Sequence, residues 1–487
     1  MTPDTQPTAT APDPRRWKIL GALSLAQFML LLDDTIVNVA LPSIQRDLHF
    51  TIANLAWVVN AYVLAFGGFL LLGGRLADLM GRRSVFLAGL SVFAIGSLGN
   101  ALAASSGMLI ASRAVQGLGA ALTAPAALAI TAAIFADPAE RTKAYAVWQG
   151  LGGAGAAAGV VLGGVLTDVL SWRWIFLVNL PVAVYVLLYI SRSLRLPERR
   201  RAAGFDIAGA ASITGSLLVL VYTLLGVDEH GWLGTRTIVG FVLSALLLCG
   251  FVLIEMRSRT PLVRLSFFSH RQRNTAFGAQ YVIGAVVFGV FFLVTLYMQR
   301  VLGYSPLEGG LAWLALFGGA FVTLGSAPKL LLRFGARPIL TAGLLLAAAG
   351  LALFAGLPVD GSYWSDLVPG MVVFGAGLGL AYPPIAVAGI ADVDDSETGL
   401  AAGLISSGQQ IGGAIGLAVL VALASDHARS LVESGSSGAS ALVSGMHLAF
   451  TVGTGLCIAG AAVTIALLGT IKPKSLPQPV APGTASS

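Results

Sequence analysis

The chain has 487 residues, of which 29 are Lys or Arg and 23 are Asp or Glu; only 11% are charged, 56% are apolar, and the mean hydropathy is +0.83. A soluble domain is about one quarter charged. A chain this long with so little charge has no means of covering itself in water, which excludes a soluble enzyme, a nucleic-acid binder and a disordered protein. Two cysteines, Cys249 and Cys457, both inside apolar runs, make neither a disulfide framework nor a zinc spacing.

Residues 1–17 are rich in Thr, Pro and Asp, lack a cleavable signal layout and are expected to form a disordered cytoplasmic tail. From there on, stretches free of Asp, Glu, Lys and Arg recur along the chain, each long enough for the roughly 20 apolar residues that cross a bilayer core. They predict fourteen helices, at 18–41, 53–74, 85–104, 108–131, 144–167, 174–191, 206–225, 236–256, 275–298, 309–328, 338–356, 367–388, 398–423 and 446–470. The first contains Asp33 and Asp34, and the fourth contains Arg113. The third and fourth are parted by a turn at Ala104–Gly107. The Pro- and Ser-rich segment 471–487 is a second expected tail.

Basic residues orient this arrangement. Twenty-three of the 29 fall on one side, including Arg82 and Arg83, Arg199–Arg201 and Lys472, while Arg46, Arg173, Arg236, Arg300 and Arg429 fall on the other. Both termini are therefore expected to be cytoplasmic, and the net charge of +6 is a topology signal. The acidic segment Ala391–Glu397 dissents, but the rule counts Lys and Arg.

Charged groups at bilayer depth are costly and mark function by default. With the first helix ending near Leu41, Asp33 lies roughly 12 Å from its outer end, and Arg113 lies roughly 9 Å from the outer start of the fourth helix at 1.5 Å per residue. The two depths match, so a carboxylate and a guanidinium can meet in one cavity. Burial favours the neutral acid and a nearby Arg favours the anion, so a group balanced between them can take up and release a proton. A static ion pair is the plainer alternative. Asp34 points about 100° away from Asp33, lining the cavity or lying nearer the interface.

The stretch Gly74-Arg75-Leu76-Ala77-Asp78-Leu79 leads through Met80-Gly81 to Arg82 and Arg83 and reads as a short inner loop. Gly81 permits a sharp turn and Asp78 can cap the next helix or pair with a basic neighbour. Gly155, Gly159 and Gly163 recur at every fourth position and are followed by Gly164, which puts a flat stripe on one face of the fifth helix. Polar and aromatic groups expected to line a central substrate cavity are Gln27, Asn38, Asn60, Tyr62, Gln116, Trp148, Gln149, Tyr281, Tyr297, Tyr382, Gln409 and Gln410. An interhelical hydrogen bond is the simpler account of each one singly.

Together these pieces resemble the major facilitator superfamily. GGRLADLMGRR (73–83) resembles its signature loop, LIASRAVQGLGAA (109–121) its fourth-helix motif, and GAAAGVVLGG (155–164) its fifth-helix antiporter motif. LDDTIVNVALP (32–42) and SWRWIFLVNLP (171–181) resemble the fourteen-helix branch of drug:proton antiporters. RFGARP (333–338) is similar to a decayed copy of the first-half loop, and SSGQQIGGAIG (406–416) is a weaker second-half match. The resemblance implies an all-α membrane protein of fourteen transmembrane helices, with six-helix bundles at 18–191 and 274–470 and two inserted helices within 192–273. It implies substrate binding between the halves, alternating access and export of a small hydrophobic drug or antibiotic in exchange for protons, with no cofactor beyond the proton gradient. By the same likeness Asp33 is the first-helix acid, Arg113 the proton-relay arginine, and Asp78, Arg82 and Arg83 the gating loop.

Two departures qualify the match. The Pro that usually follows the middle Gly of the fifth-helix motif is Val160 here, which leaves uptake by symport open as an alternative. The runs 274–299, 309–328, 367–391 and 398–425 carry no acid, so the pocket is expected to prefer neutral, zwitterionic or singly cationic compounds to dications. A membrane-embedded enzyme is disfavoured by five His in all without metal-ligand spacing, and an ATP-driven pump by the absence of a phosphate-cradling Gly-x-x-x-x-Gly-Lys loop. The protein is expected to work as a monomer in the cell membrane.

Overall fold

The computed structural model describes residues 15–135, 137–194, 206–258, 261, 265–391, 393 and 398–469. The expected tails apart from residues 15–17, the basic segment 195–205 and the acids of 392–397 lie outside them. Every regular element among the described residues is helical, and fourteen helices are long and apolar enough to cross a membrane. They are α1 (Arg16–Leu48), α2 (Ile52–Met80), α3 (Arg82–Ala101), α4 (Ser106–Ile134), α5 (Pro138–Val169), α6 (Trp174–Ser193) and α7 (Ile207–Leu225). There follow α8 (Thr235–Arg257), α9 (Arg271–Val301), α10 (Pro306–Phe334), α11 (Ala336–Phe354), α12 (Tyr363–Gly389), α13 (Thr398–Glu433) and α14 (Gly438–Leu467).

Local chemistry sets the helix starts. Thr51, Ser105, Asp137 and Ser437 each accept a backbone N–H of the first turn through the side chain, which satisfies a donor the helix leaves orphaned. Ser305 and Glu308 form a reciprocal capping box with Pro306 between them at the start of α10. Several boundaries differ from expectation, among them the end of α13 at Glu433 and the start of α14 at Gly438. Helix α1 starts at Arg16 and runs through Pro42 to Leu48. Residues 74–80 continue α2 as helix, so the expected inner loop shrinks to Gly81 at φ +95°. The break before α4 falls at Leu102–Ser105, because Ser105 supplies the cap.

Packing repeats along the chain. Helix α1 lies along α5, α2 and α3 both lie on α4, and α6 touches α1 and α3. Eight helices later α9 lies along α13, α10 and α11 both lie on α12, and α14 touches α9 and α11. The tight turns repeat as well: α10 passes into α11 through Gly335 at φ +83°, as α2 passes into α3 through Gly81. Only glycine adopts such angles at little cost. The two sets of helices meet where α2 packs on α13 and where α5 packs on the first turns of α10, Pro306–Ala312. Helices α7 and α8 pair with each other, and α7 lies against α2 and α13.

Candidate functional site

The small-residue stripe of α5 puts α1 in place. A Cβ at Gly155 would stand 3.0 Å from the Phe28 Cα, one at Gly159 3.2 Å from the Leu32 Cα, and one at Gly163 3.3 Å from the Ile36 Cα. Main chains approach this closely only where no Cβ intervenes. Thr35 ties the seam by donating to the Ala156 carbonyl at 2.9 Å. Gly164 turns to the other half, where a Cβ would lie 2.9 Å from the Leu307 Cα.

Held there, α1 presents Asp33 to α4. The Arg113 guanidinium donates from Nη1 to Asp33 Oδ2 at 2.7 Å, and both side chains are essentially sealed from solvent, at 1% and 0% exposure. The other carboxylate oxygen, Oδ1, accepts from Gln116 Nε2 at 2.8 Å and from Asn179 Nδ2 at 2.7 Å. Arg113 also donates from Nε to the Val58 carbonyl at 2.9 Å and from Nη1 to Gln116 Oε1 at 2.7 Å. Its guanidinium lies 4.2 Å from the Tyr62 ring centroid. Ser97 Oγ accepts from Asn179 at 3.1 Å and from Gln116 at 3.3 Å, and donates to the Phe176 carbonyl at 2.8 Å. Asn100 donates to Gln116 Oε1 at 2.6 Å. Helices α1, α2, α3, α4 and α6 thus meet in one enclosed network, in which an ionised carboxylate receives three donors, one of them cationic.

The expected residues fall into three groups. Asp33, Arg113, Gln116 and Tyr62 share this network, although Gln116 was expected in the substrate cavity. Asp34 is half-buried beside it, with an Oδ1 that is enclosed and finds no partner among the described residues, while Asn38 donates to the Asp34 carbonyl on the same helix. A second group gathers on the other half: Gln280 donates to Gln409, Gln409 to the Tyr382 hydroxyl at 3.3 Å, the Tyr281 ring faces Gly408, and Gln410 abuts Gly67 of α2. The rest stand apart. Tyr297 is buried and donates to the Pro358 carbonyl, Gln149 is exposed, Gln27 stands beside Gly152, and Trp148 and Asn60 are buried with polar atoms that have no described partner.

At the turn around Gly81, Arg82 donates to the Ala129 carbonyl at 3.1 Å near the end of α4, and Arg83 to the Ser191 carbonyl at 2.6 Å near the end of α6. Ser191 lies in the last turn of α6, where helix carbonyls are left over, while Ala129 lies one turn further inside α4. Gly74 faces Pro125, and the Asp78 side chain lies outside the described residues.

Sequence reasoning missed Asn179, Ser97 and Asn100. The signal for Asn179 was present in SWRWIFLVNLP, whose Trp172 and Arg173 both donate to Asp47 of α1, at 3.0 and 2.8 Å. That motif therefore grips α1 at two levels, through Asp47 and through Asp33.

Fourteen apolar helices enclosing a buried acid–base pair define a multi-pass membrane transporter. The family model "Major Facilitator Superfamily" matches residues 23–417, and the chain belongs to that superfamily; it is a transporter and not an enzyme. It is 40% identical over 453 residues to the puromycin resistance protein pur8 of Streptomyces alboniger, covering 91% of this chain and 90% of that one. It is 38% identical to the cephamycin export protein CmcT of Amycolatopsis lactamdurans, covering 81% and 82% of the two chains. Among solved structures, the POT family transporter PepTSo shares the fold at a TM-score of 0.67 with 14% identity, covering 93% of this chain and 98% of that one.

Proposed function

We propose that this protein is a proton-driven secondary exporter of hydrophobic drugs or antibiotics that works by alternating access. The observation that carries the coupling is the Asp33 carboxylate, sealed from solvent and held by Arg113, Gln116 and Asn179. A carboxylate this enclosed can exchange its proton only when the helices around it move, which is what ties protonation to conformation. Export as the direction is supported by two relatives named for puromycin resistance and cephamycin export. The halves that rock are 18–191 and 274–470, with 192–273 inserted between them. The face bearing the two chain ends is cytoplasmic on the distribution of Lys and Arg.

At the opposite face the halves are joined. Gln299 donates to the Val39 carbonyl at 2.7 Å, Arg300 donates to Gln45, and Gly164 abuts Pro306 and Leu307. Toward the chain ends, Gly150 and Gly153 of α5 and Gly325 of α10 face open space. On this reading the conformation is closed outward, while toward the chain ends the halves still touch where Leu71 of α2 lies beside Gly403 of α13.

The test is a susceptibility panel that includes puromycin and a cephamycin, run on cells with and without the gene and repeated with a protonophore. Expression raises the tolerated dose of at least one compound, and the protonophore abolishes the gain. Unchanged susceptibility to every compound rejects the proposal. Monocationic and neutral compounds gain more than dicationic biocides; the reverse order rejects the pocket reading. Symport is the second reading, kept by Val160, which leaves α5 without an internal Pro. Accumulation of a labelled compound, rather than its extrusion, would select it.

A further inference from the structure

Asp33 is gripped by two amides, but they are not equivalent. Gln116 is fully used. Its Nε2 donates to Asp33 and Ser97, and its Oε1 accepts from Asn100 and from Arg113. Two donors on Oε1 fix its orientation, because turning the amide over would face Nε2 against Arg113. Asn179 also donates twice, to Asp33 Oδ1 and to Ser97, and the Ser97 hydroxyl spends its own proton on the Phe176 carbonyl. The Asn179 Oδ1, however, finds no partner among the described residues, and Asn179 is only 1% exposed. A buried acceptor left unpaired costs stability and calls for a reason.

We infer that Asn179 is a positioning residue that reads the protonation state of Asp33, its idle oxygen being the acceptor for the acid form. The inference rests on the proposed proton coupling. The observed arrangement, with three donors on the carboxylate, suits the Asp33 anion and leaves the Asn179 acceptor unused. When a proton from water joins Asp33 Oδ1, that oxygen becomes a donor, and the two amide N–H groups facing it repel it. Gln116 is pinned by Arg113 and Asn100. Asn179 turns over, accepts the new O–H with its own Oδ1 and gives up Ser97. Asp33 Oδ2 continues to accept from Arg113. One proton has been added and no other bond is made or broken covalently. The exchange loosens α6 from α3 at Ser97, where the Phe176 carbonyl is also held, and so passes the state of an α1 acid to two other helices.

The charged and titratable groups facing this centre are Arg113 from α4, Asp34 from α1 itself and Tyr62 from α2. Helix α3 contributes the neutral Ser97 and Asn100. On α5 Arg141, Lys143, Tyr145 and Asp168 lie toward its ends, as do Arg271, Arg273 and Arg300 on α9 and Glu308 on α10. Tyr281 and Tyr297 are the phenols of α9.

The experiment is infrared difference spectroscopy of the purified protein in lipid, titrated with acid, in an Asp34→Asn background. The acid C=O band that Asp33→Asn removes reports Asp33 without any need for substrate. Asn179→Leu takes away one donor from the anion and the acceptor from the acid. Its midpoint moves toward alkaline pH by less than the roughly one to two units of one charge-assisted hydrogen bond, because losing the acceptor of the acid works the other way, and the band moves to higher frequency as the acid O–H loses its acceptor. Ser97→Ala, which leaves Asn179 in place but untethered, moves the midpoint the same way by less and is the variant to use if Asn179→Leu does not fold. A midpoint and band position unchanged in Ser97→Ala and in a folded Asn179→Leu overturn the inference. Failure of the transport reading looks different: Asp33→Asn would still extrude drug against a gradient, while the Asp33 band still shifted in Asn179→Leu.

Discussion

At the scale of single residues, the site is an economy of donors around one oxygen pair. Burying an isolated carboxylate is expensive, and the expense is offset only when charge and hydrogen bonds replace water. Asp33 obtains both, from Arg113 and from two amides. Asp33→Asn preserves shape and removes the titrating group, so it should abolish proton-coupled efflux while leaving the protein at normal levels in the membrane. Drug tolerance read beside an immunoblot of membranes checks this, and full tolerance at normal expression refutes the coupling role. Arg113→Ala leaves the Asp33 anion buried without its cation, a loss of about 3–5 kcal/mol for pairs of this kind. A lowered unfolding temperature in detergent should report it. Arg113→Lys keeps the charge but cannot reach Asp33, Gln116 and the Val58 carbonyl together, so it too should lose efflux.

At the scale of elements, the glycines of α5 act as absences of side chain that let α1 come close. Gly159→Leu drives a side chain into the Leu32 backbone and Thr35. It should cost more than the 1–3 kcal/mol usual for overpacking, because backbone cannot move aside. The expected outcome is aggregation on size exclusion. Gly150→Ala, on the same helix but facing open space, should leave both folding and efflux unchanged, and equal damage from the two would refute the packing account. The stripe was legible from its spacing alone. The Gly81 turn was legible as a turn but not as a one-residue break, because the charge-free run stops before Arg75 whereas the helix carries Arg75 and Asp78 on to Met80. The extension of α1 past Leu41 was not legible either. Pro42 argues for an end, yet the structure absorbs it within the helix.

At the scale of the whole molecule, the same packing pattern runs through α1–α6 and again through α9–α14, a likeness the decayed RFGARP copy had hinted at. The two sets touch where Gly164 meets Pro306 and Leu307 and where Gln299 meets Val39. Arg300 reaches Gln45 across the same seam, so if these contacts part during turnover, a reducible bifunctional thiol reagent joining Q45C to R300C, in a background lacking Cys249 and Cys457, should arrest efflux and a reductant should restore it. Uninhibited efflux with the cross-link fully formed would show that this seam does not open. The second half supplies amides and phenols, such as Gln280, Gln409 and Tyr382, and among the described residues no buried acid. Among these residues the buried ion pair is confined to the first half, and on the proposed reading proton chemistry is thereby separated from whatever the other half contributes to binding.

Scarcity of charge told the sequence reader which residues to watch. With 11% of residues charged, an acid and an arginine inside apolar helices stand out, and periodicity and basic loops give the helix count. These are local properties, written in the chain's hydropathy, and they held through the fold. What tertiary structure alone decided is which neutral polar residues surround the pair. Gln116 and Tyr62 were expected to face substrate and instead hold the ion pair, while Asn179, Ser97 and Asn100 reach it from helices distant in sequence. The reason is geometric: an amide in a helix looks the same in sequence whether it faces a cavity, a neighbour or an anion. Only the docking of α4 and α6 onto the α1 carboxylate, with α2 and α3 closing the network around it, determines which of these it is.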